Sequence, residues 1–279
     1  MKRFVAATLL ALTAGAAHAD GVVSLGGSVT EIVYALGQEA RLVARDTTSM
    51  YPEAVLALPD VGYLRALSPE GVLSVGPSLI LAEADAGPAE TMASLTAASV
   101  TIALMPQARS AEEVGAKIRA VALALQVPAE GEALATRVEA EIAAARDLAA
   151  QSSPRKRALF VLSTEGGRLM AAGNGTAAAA MLALAGADNA LTGFDGYKPV
   201  SDEAVIAAAP EVIVMMQNAG PQAALTDDAL FALPALQATP AATARAVVRM
   251  DALFLLGFGP RTGQAIAELH SAIYPATGG

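Results

Sequence analysis

The sequence predicts an α/β protein built as two lobes joined by one long helix. Three observations carry this reading. Short aliphatic or β-branched runs alternate with helical stretches along the chain, segment 129–152 reads as one uninterrupted helix, and a twelve-residue pattern before that helix recurs after it.

The chain opens with Lys2 and Arg3, an alanine-rich apolar run over 4–17, and Ala17-His18-Ala19 before Asp20. The run is shorter than the ~20 apolar residues of a membrane span, and the small residues at 17 and 19 suit signal peptidase, so 1–19 is expected to be a signal peptide cleaved after Ala19. The chain has no cysteine, which removes disulfides, thiolate chemistry and the anchoring cysteine of a lipoprotein. The expectation is therefore a soluble protein free in a periplasm. Cleavage lowers Lys+Arg from 18 to 16 against 27 Asp+Glu, a formal charge of −11, which argues against a nucleic-acid partner.

Strands are expected at 22–25, 78–82, 100–104, 158–162, 212–216 and 246–250. Apolar on both faces and separated by helices, they suit parallel sheets with crossover connections. Residues 20–128 form the first expected lobe, 129–152 the connecting helix, and 153–279 the second lobe. The helix assignment rests on apolar positions at helical spacing with no internal glycine or proline after Gly131, and Ser152-Ser153-Pro154 stops it. The recurring pattern runs from Glu70 to Leu81 and from Glu203 to Val214. Each copy is a short helix, a proline (Pro77 or Pro210) and a strand, with the two glutamates in register.

Several candidate chemistries are weak. The mature chain has one histidine, His270, spaced with Ile266 and Ile273 as a structural helix residue, so neither a Ser/His/Asp set nor an imidazole metal cluster assembles. Gly173-Asn174-Gly175-Thr176-Ala177-Ala178 matches a dinucleotide fingerprint in letters only. It does not follow the first strand of a βαβ unit and is expected to be a turn feeding a helix from 176 to 185. Ser28 and Glu31 are spaced as a capping box at the start of the first helix.

The informative loop holds Asp46-Thr47-Thr48-Ser49 and Gly62-Tyr63-Leu64-Arg65. With 63–65 extended, the phenol of Tyr63 and the guanidinium of Arg65 share one surface. A neighbouring cation favours the phenolate, and a phenolate is a good ligand for ferric iron, so the pair is a candidate oxygen-ligand site.

These two motifs, together with the segment 24–37, Ala172-Gly173-Asn174-Gly175-Thr176, Gly196-Tyr197-Lys198-Pro199 and Gly257-Phe258-Gly259-Pro260-Arg261, resemble the haem-binding members of the cobalamin- and siderophore-type periplasmic binding proteins. The resemblance covers essentially the whole mature chain. It implies two α/β lobes with the ligand held in the cleft between them, haem as the transported ligand, Tyr63 as the iron ligand and Arg65 supporting it by hydrogen bonding. It also implies that Glu70 and Glu203, one per lobe, dock onto arginines of the paired permease subunits of an inner-membrane ABC importer.

The chain departs from some relatives after strand 212–216, where Gln217-Asn218-Ala219-Gly220 stands in place of an arginine. Lys198 and Asn174 are the alternative candidates for the haem propionates. Nothing in the sequence supports a second, histidine-ligated haem. A monomer is expected. The rival readings are the same fold carrying a ferric siderophore or a corrinoid, which would make Tyr63 dispensable, and a periplasmic enzyme, for which no nucleophile with a base is found.

Overall fold

The structure is a computed structural model, and it describes residues 21–164, 168–217 and 225–275. The expected signal peptide, 1–19, and the departure at 218–220 lie outside the described residues.

The first lobe contains β1 (Val22–Leu25), α1 (Gly27–Ala35), β2 (Leu42–Arg45), α2 (Pro69–Leu73), β3 (Leu79–Glu83), α3 (Ala89–Ala97), β4 (Thr101–Met105) and α4 (Ala111–Ala124). Its sheet has the order β2-β1-β3-β4, and every neighbouring pair is parallel, as the aliphatic runs predict.

Helix α5 (Pro128–Ala149) follows, with Pro128 in the first turn, where its missing N–H has no intrahelical partner to lose. Small residues let neighbouring helices approach it. A Cβ on Gly131 would come within 2.2 Å of the Ala122 Cβ in α4, and a Cβ on Gly263 would sit 2.9 Å from the Glu141 backbone.

The second lobe contains β5 (Arg157–Ser163), β6 (Leu169–Ala172), α6 (Ala177–Leu184), β7 (Asp188–Asn189), β8 (Tyr197–Val200), α7 (Asp202–Ala208), β9 (Val212–Gln217), α8 (Asp227–Phe231), α9 (Pro234–Gln237), α10 (Pro240–Ala244), β10 (Val247–Asp251), α11 (Ala252–Leu256) and α12 (Thr262–Ile273). Its sheet has the order β10-β9-β5-β6-β8, with β7 beside the start of β5. Here the expectation of parallel sheets holds for β10, β9, β5 and the short β7, which pairs parallel with the start of β5, but not for β6 and β8. Strand β6 runs antiparallel to β5, and β8 antiparallel to β6. The link from Ser163 to Leu169 is far shorter than the dozen or so residues a parallel crossover needs, so the chain must turn back on itself.

Side chains alternate across each sheet and divide the apolar interior three ways. Val23, Leu25, Ile80 and Leu95 fill the outer face of the first lobe, and Leu159, Val161, Ile213 and Leu236 fill that of the second. Between them one continuous cluster runs from Ile32 and Ile118 through Leu134, Val138 and Ile142 of α5 to Phe160, Ile266 and Leu269. Pulling the lobes apart would expose this shared core to water, which opposes their separation. Among the described residues no helix is long and apolar enough to cross a membrane.

Candidate functional site

The loops after β2 and β3 lie at the carboxyl ends of parallel strands, where open α/β sheets place their ligands, and they carry Asp46, Tyr63 and Asp85. In the first lobe the loop after β2 is anchored by Asp46, which is fully buried. Its carboxylate accepts from the Gly26 N–H at 2.9 Å, the Ser49 hydroxyl at 2.7 Å, and the Thr48 N–H and hydroxyl at 3.0 and 2.7 Å. The Thr48 hydroxyl in turn accepts from the Gly27 N–H at 3.1 Å.

These contacts replace the expected capping box. Gly26, at φ 122°, precedes the helix, and its end is satisfied by residues some twenty positions away. Ser28 instead donates to Glu83 and accepts from the buried Lys117 Nζ at 3.0 Å, while Glu31 pairs with Arg261.

Tyr63 and Arg65 do come together, but the segment is not extended. The Ala66 N–H donates to the Tyr63 carbonyl at 2.7 Å, closing a turn, and buried Leu64 and Leu67 pin that turn to the lobe. Arg65 Nη1 donates to the Tyr63 phenol oxygen at 2.5 Å. Its Nε and Nη2 both reach Asp85 Oδ2, at 2.9 and 2.5 Å. Burial alone would depress the guanidinium, but hydrogen bonding and charge from Asp85 and Tyr63 outweigh it and raise its pKa above the ordinary value. Tyr63 is 43 % exposed, so its oxygen is oriented yet accessible.

The second lobe answers with the turn between β6 and α6. Gly173 is tightly packed, since a Cβ there would lie 2.2 Å from the Phe194 carbonyl, and Thr176 caps α6 by accepting from the Ala179 N–H at 3.0 Å. This is the helix-feeding turn expected in place of a dinucleotide site. Asn174 Nδ2 donates to the Thr192 carbonyl at 2.7 Å, which ties its side chain to the neighbouring loop. Lys198 is exposed on β8, with Nζ 5.8 Å from the Phe194 ring centroid.

Tyr197, which sequence reasoning did not single out, has its phenol pushed up by burial. Hydrogen bonds with the Ala178 backbone and the Thr176 side chain, and the positive charges of Arg109 and Arg65, pull the other way. Both arginines belong to the first lobe, so the two lobes face each other across this point.

At the junction of the lobes Arg261 pairs with Glu31, which is 5 % exposed, and lies 3.6 Å from the Tyr51 ring centroid and 4.9 Å from that of Phe254. Burial raises the Glu31 carboxyl above its ordinary value even with Arg261 beside it. Met50, Tyr51 and Leu104 expose apolar surface on the first lobe.

Glu70 and Glu203 occupy the second position of α2 and α7, exposed, after serines that cap each helix: Ser68 accepts from the Gly71 N–H at 3.0 Å and Ser201 from the Ala204 N–H at 3.3 Å. The Glu203 carboxyl is held below its ordinary range by its own backbone N–H and by Ser201. His270 has the structural setting expected of it: Nδ1 lies 2.9 Å from the Ala185 carbonyl and the ring packs on Tyr274.

Two lobes on a shared helix, with an oriented phenol in the loop that faces the junction, define a binding protein of the two-lobed periplasmic class. The chain belongs to the periplasmic binding protein family, whose model matches residues 22–253. It is similar to the periplasmic haem-binding protein BhuT, solved in complex with two haems, at 45 % identity and TM-score 0.85, covering 90 % of this chain and 97 % of that one. It is also similar to the periplasmic haem-binding protein RhuT from Roseiflexus sp. RS-1 in apo form, at 43 % identity and TM-score 0.86 over 91 % and 98 % of the two chains. The uncharacterized ABC transporter substrate-binding lipoprotein YvrC of Bacillus subtilis (strain 168) is 26 % identical over 259 residues, 92 % of this chain and 80 % of the relative. The family and these relatives are binding proteins, and the Bacillus subtilis relative is a substrate-binding component of an ABC transporter.

Proposed function

We propose that this chain is a haem carrier of the periplasm that takes ferric haem between its lobes and hands it to an inner-membrane ABC importer. The observation that carries the reading is the Arg65 hydrogen bond to the Tyr63 phenol oxygen, in a chain 45 % identical to a haem-binding protein. That contact, at 2.5 Å, orients the phenol oxygen, and a tyrosine oxygen is a direct ligand for haem iron. Asp85 keeps the guanidinium aimed, so the ligand is held ready before haem arrives.

In this reading Tyr63 is the axial iron ligand and Arg65 supports it. Lys198 and Asn174, whose Nδ2 has a second hydrogen beyond the one given to Thr192, meet the propionates. Apolar side chains such as Met50, Tyr51 and Leu104 cover porphyrin surface, as in other mostly apolar ligand sites. The chain works as a monomer without catalysis, in lobes 20–128 and 153–279 joined through 129–152, after removal of 1–19 by cleavage after Ala19. Glu70 and Glu203 dock it to the paired permease subunits.

The test is a parallel absorbance titration of the mature protein with ferric haem, cyanocobalamin and a ferric hydroxamate siderophore. Saturation by haem alone is expected. Saturation by the corrinoid or the siderophore without haem binding would overturn the reading.

A further inference from the structure

Helices α2 and α7 turn the same surface outward. Each begins at a serine cap (Ser68, Ser201), carries its glutamate second, and buries a valine completely two residues later, Val72 in one lobe and Val205 in the other. That buried valine fixes how each helix is rotated. Three residues beyond each glutamate, on the same helix face, stands an exposed aliphatic side chain: Leu73 is 36 % exposed and Ile206 is 41 % exposed. Each helix then leads through a proline, Pro77 or Pro210, to a parallel strand, β3 or β9.

One exposed leucine on a surface needs no explanation. Two aliphatics in register within a repeated unit, each one turn from an acidic residue, make a pattern. We infer that each lobe carries a two-part docking element, a carboxylate with an aliphatic side chain beside it: Glu70 with Leu73, and Glu203 with Ile206. Two copies of one surface in a single chain fit a partner with two-fold symmetry, each of whose subunits offers a basic side chain next to a small apolar socket. The carboxylates steer and orient the encounter, and the aliphatics supply contact area that ion pairing at an exposed rim does not. The inference rests on the importer reading and adds Leu73 and Ile206 to the docking surface.

The test measures binding of the mature protein to the haem importer of the same organism in lipid nanodiscs. Leu73→Ser and Ile206→Ser are each expected to weaken binding about fivefold, or about 1 kcal/mol at about 1.4 kcal/mol per tenfold, and the double variant about twentyfold. Leu73→Ala and Ile206→Ala repeat the measurement with milder truncations, and a haem titration of every variant confirms folding and an unchanged ligand site. Leu123→Ser, an exposed aliphatic of α4 outside the repeat, is the control and should bind as wild type. If Glu70→Gln/Glu203→Gln weakens binding while the Leu73/Ile206 doubles stay within twofold of wild type, the aliphatic contribution is refuted and carboxylate docking stands. If wild type binds and neither pair matters, this inference and carboxylate docking fail while the importer reading stands; if wild type does not bind the importer, the importer reading fails with them.

Discussion

Arg65 Nη1 lies 2.5 Å from the phenol oxygen of Tyr63, and the same guanidinium is gripped from its other edge by Asp85. The arrangement is a relay of orientation: a carboxylate on the loop after β3 fixes an arginine, and the arginine fixes the oxygen offered to the ligand. Asp85 is thus a positioning residue and Arg65 a supporting one.

Removing the support should weaken haem binding without abolishing it. Arg65→Ala is expected to lower affinity for ferric haem about tenfold or more, the usual worth of a charged hydrogen bond. Asp85→Asn should give a smaller loss, because the arginine stays but is held less firmly. Haem titration measures both, and an Asp85→Asn loss larger than that of Arg65→Ala would contradict the relay.

Lys117 is 2 % exposed and bonds Ser28 and Glu83, at 3.0 and 3.2 Å. Lys117→Ala leaves Glu83 without its cation and is expected to destabilise the fold by about 3 kcal/mol. Adding Glu83→Gln should recover part of that loss, since it removes the stranded charge. Urea denaturation of the two single variants and the double variant reads the coupling, and simple additivity would count against the network.

The buried Glu31 makes stability depend on pH. Its folded pKa is raised by burial, so protonation favours the folded state: the contribution is fully present below the ordinary value of 4.5 and is lost as pH rises through the higher folded value. Glu31→Gln removes the titration while keeping an acceptor for Arg261. Wild type should therefore gain stability relative to Glu31→Gln as pH falls through the window just above 4.5, as read by thermal melts across that range. A difference that grows in favour of wild type with rising pH would mean the Arg261 pairing dominates instead.

Much of this fold is legible in the sequence, for local reasons. Strands β1, β3, β4, β5, β9 and β10 are predominantly aliphatic runs, and α5 keeps helical spacing over its whole length. Strand β8 escapes notice because Tyr197-Lys198-Pro199-Val200 lies at a sheet edge, where a proline and a lysine are tolerated and no apolar run forms. The cap of α1 was misleading because its acceptors, Asp46 and Thr48, come from the loop after β2 rather than from Ser28 and Glu31. Tyr63 and Arg65 are readable as neighbours although the turn, not an extended strand, brings them together. Asp85 is not: it reaches the site from another element, and nothing in its local sequence marks it. Tyr197 lies in one of the motifs that carry the resemblance, but nothing there assigns the phenol a place in the site.

The measurement that tests the central claim most directly is an absorbance titration of the mature protein with ferric haem, wild type beside Tyr63→Phe and Tyr63→Ala. The account predicts a saturable Soret shift with a high-spin phenolate spectrum in wild type. Tyr63→Phe should lose that spectrum, although it keeps the ring, and Tyr63→Ala should lose it as well. An unchanged spectrum and affinity in Tyr63→Phe would show that the phenol oxygen does not bind the iron and would contradict the account.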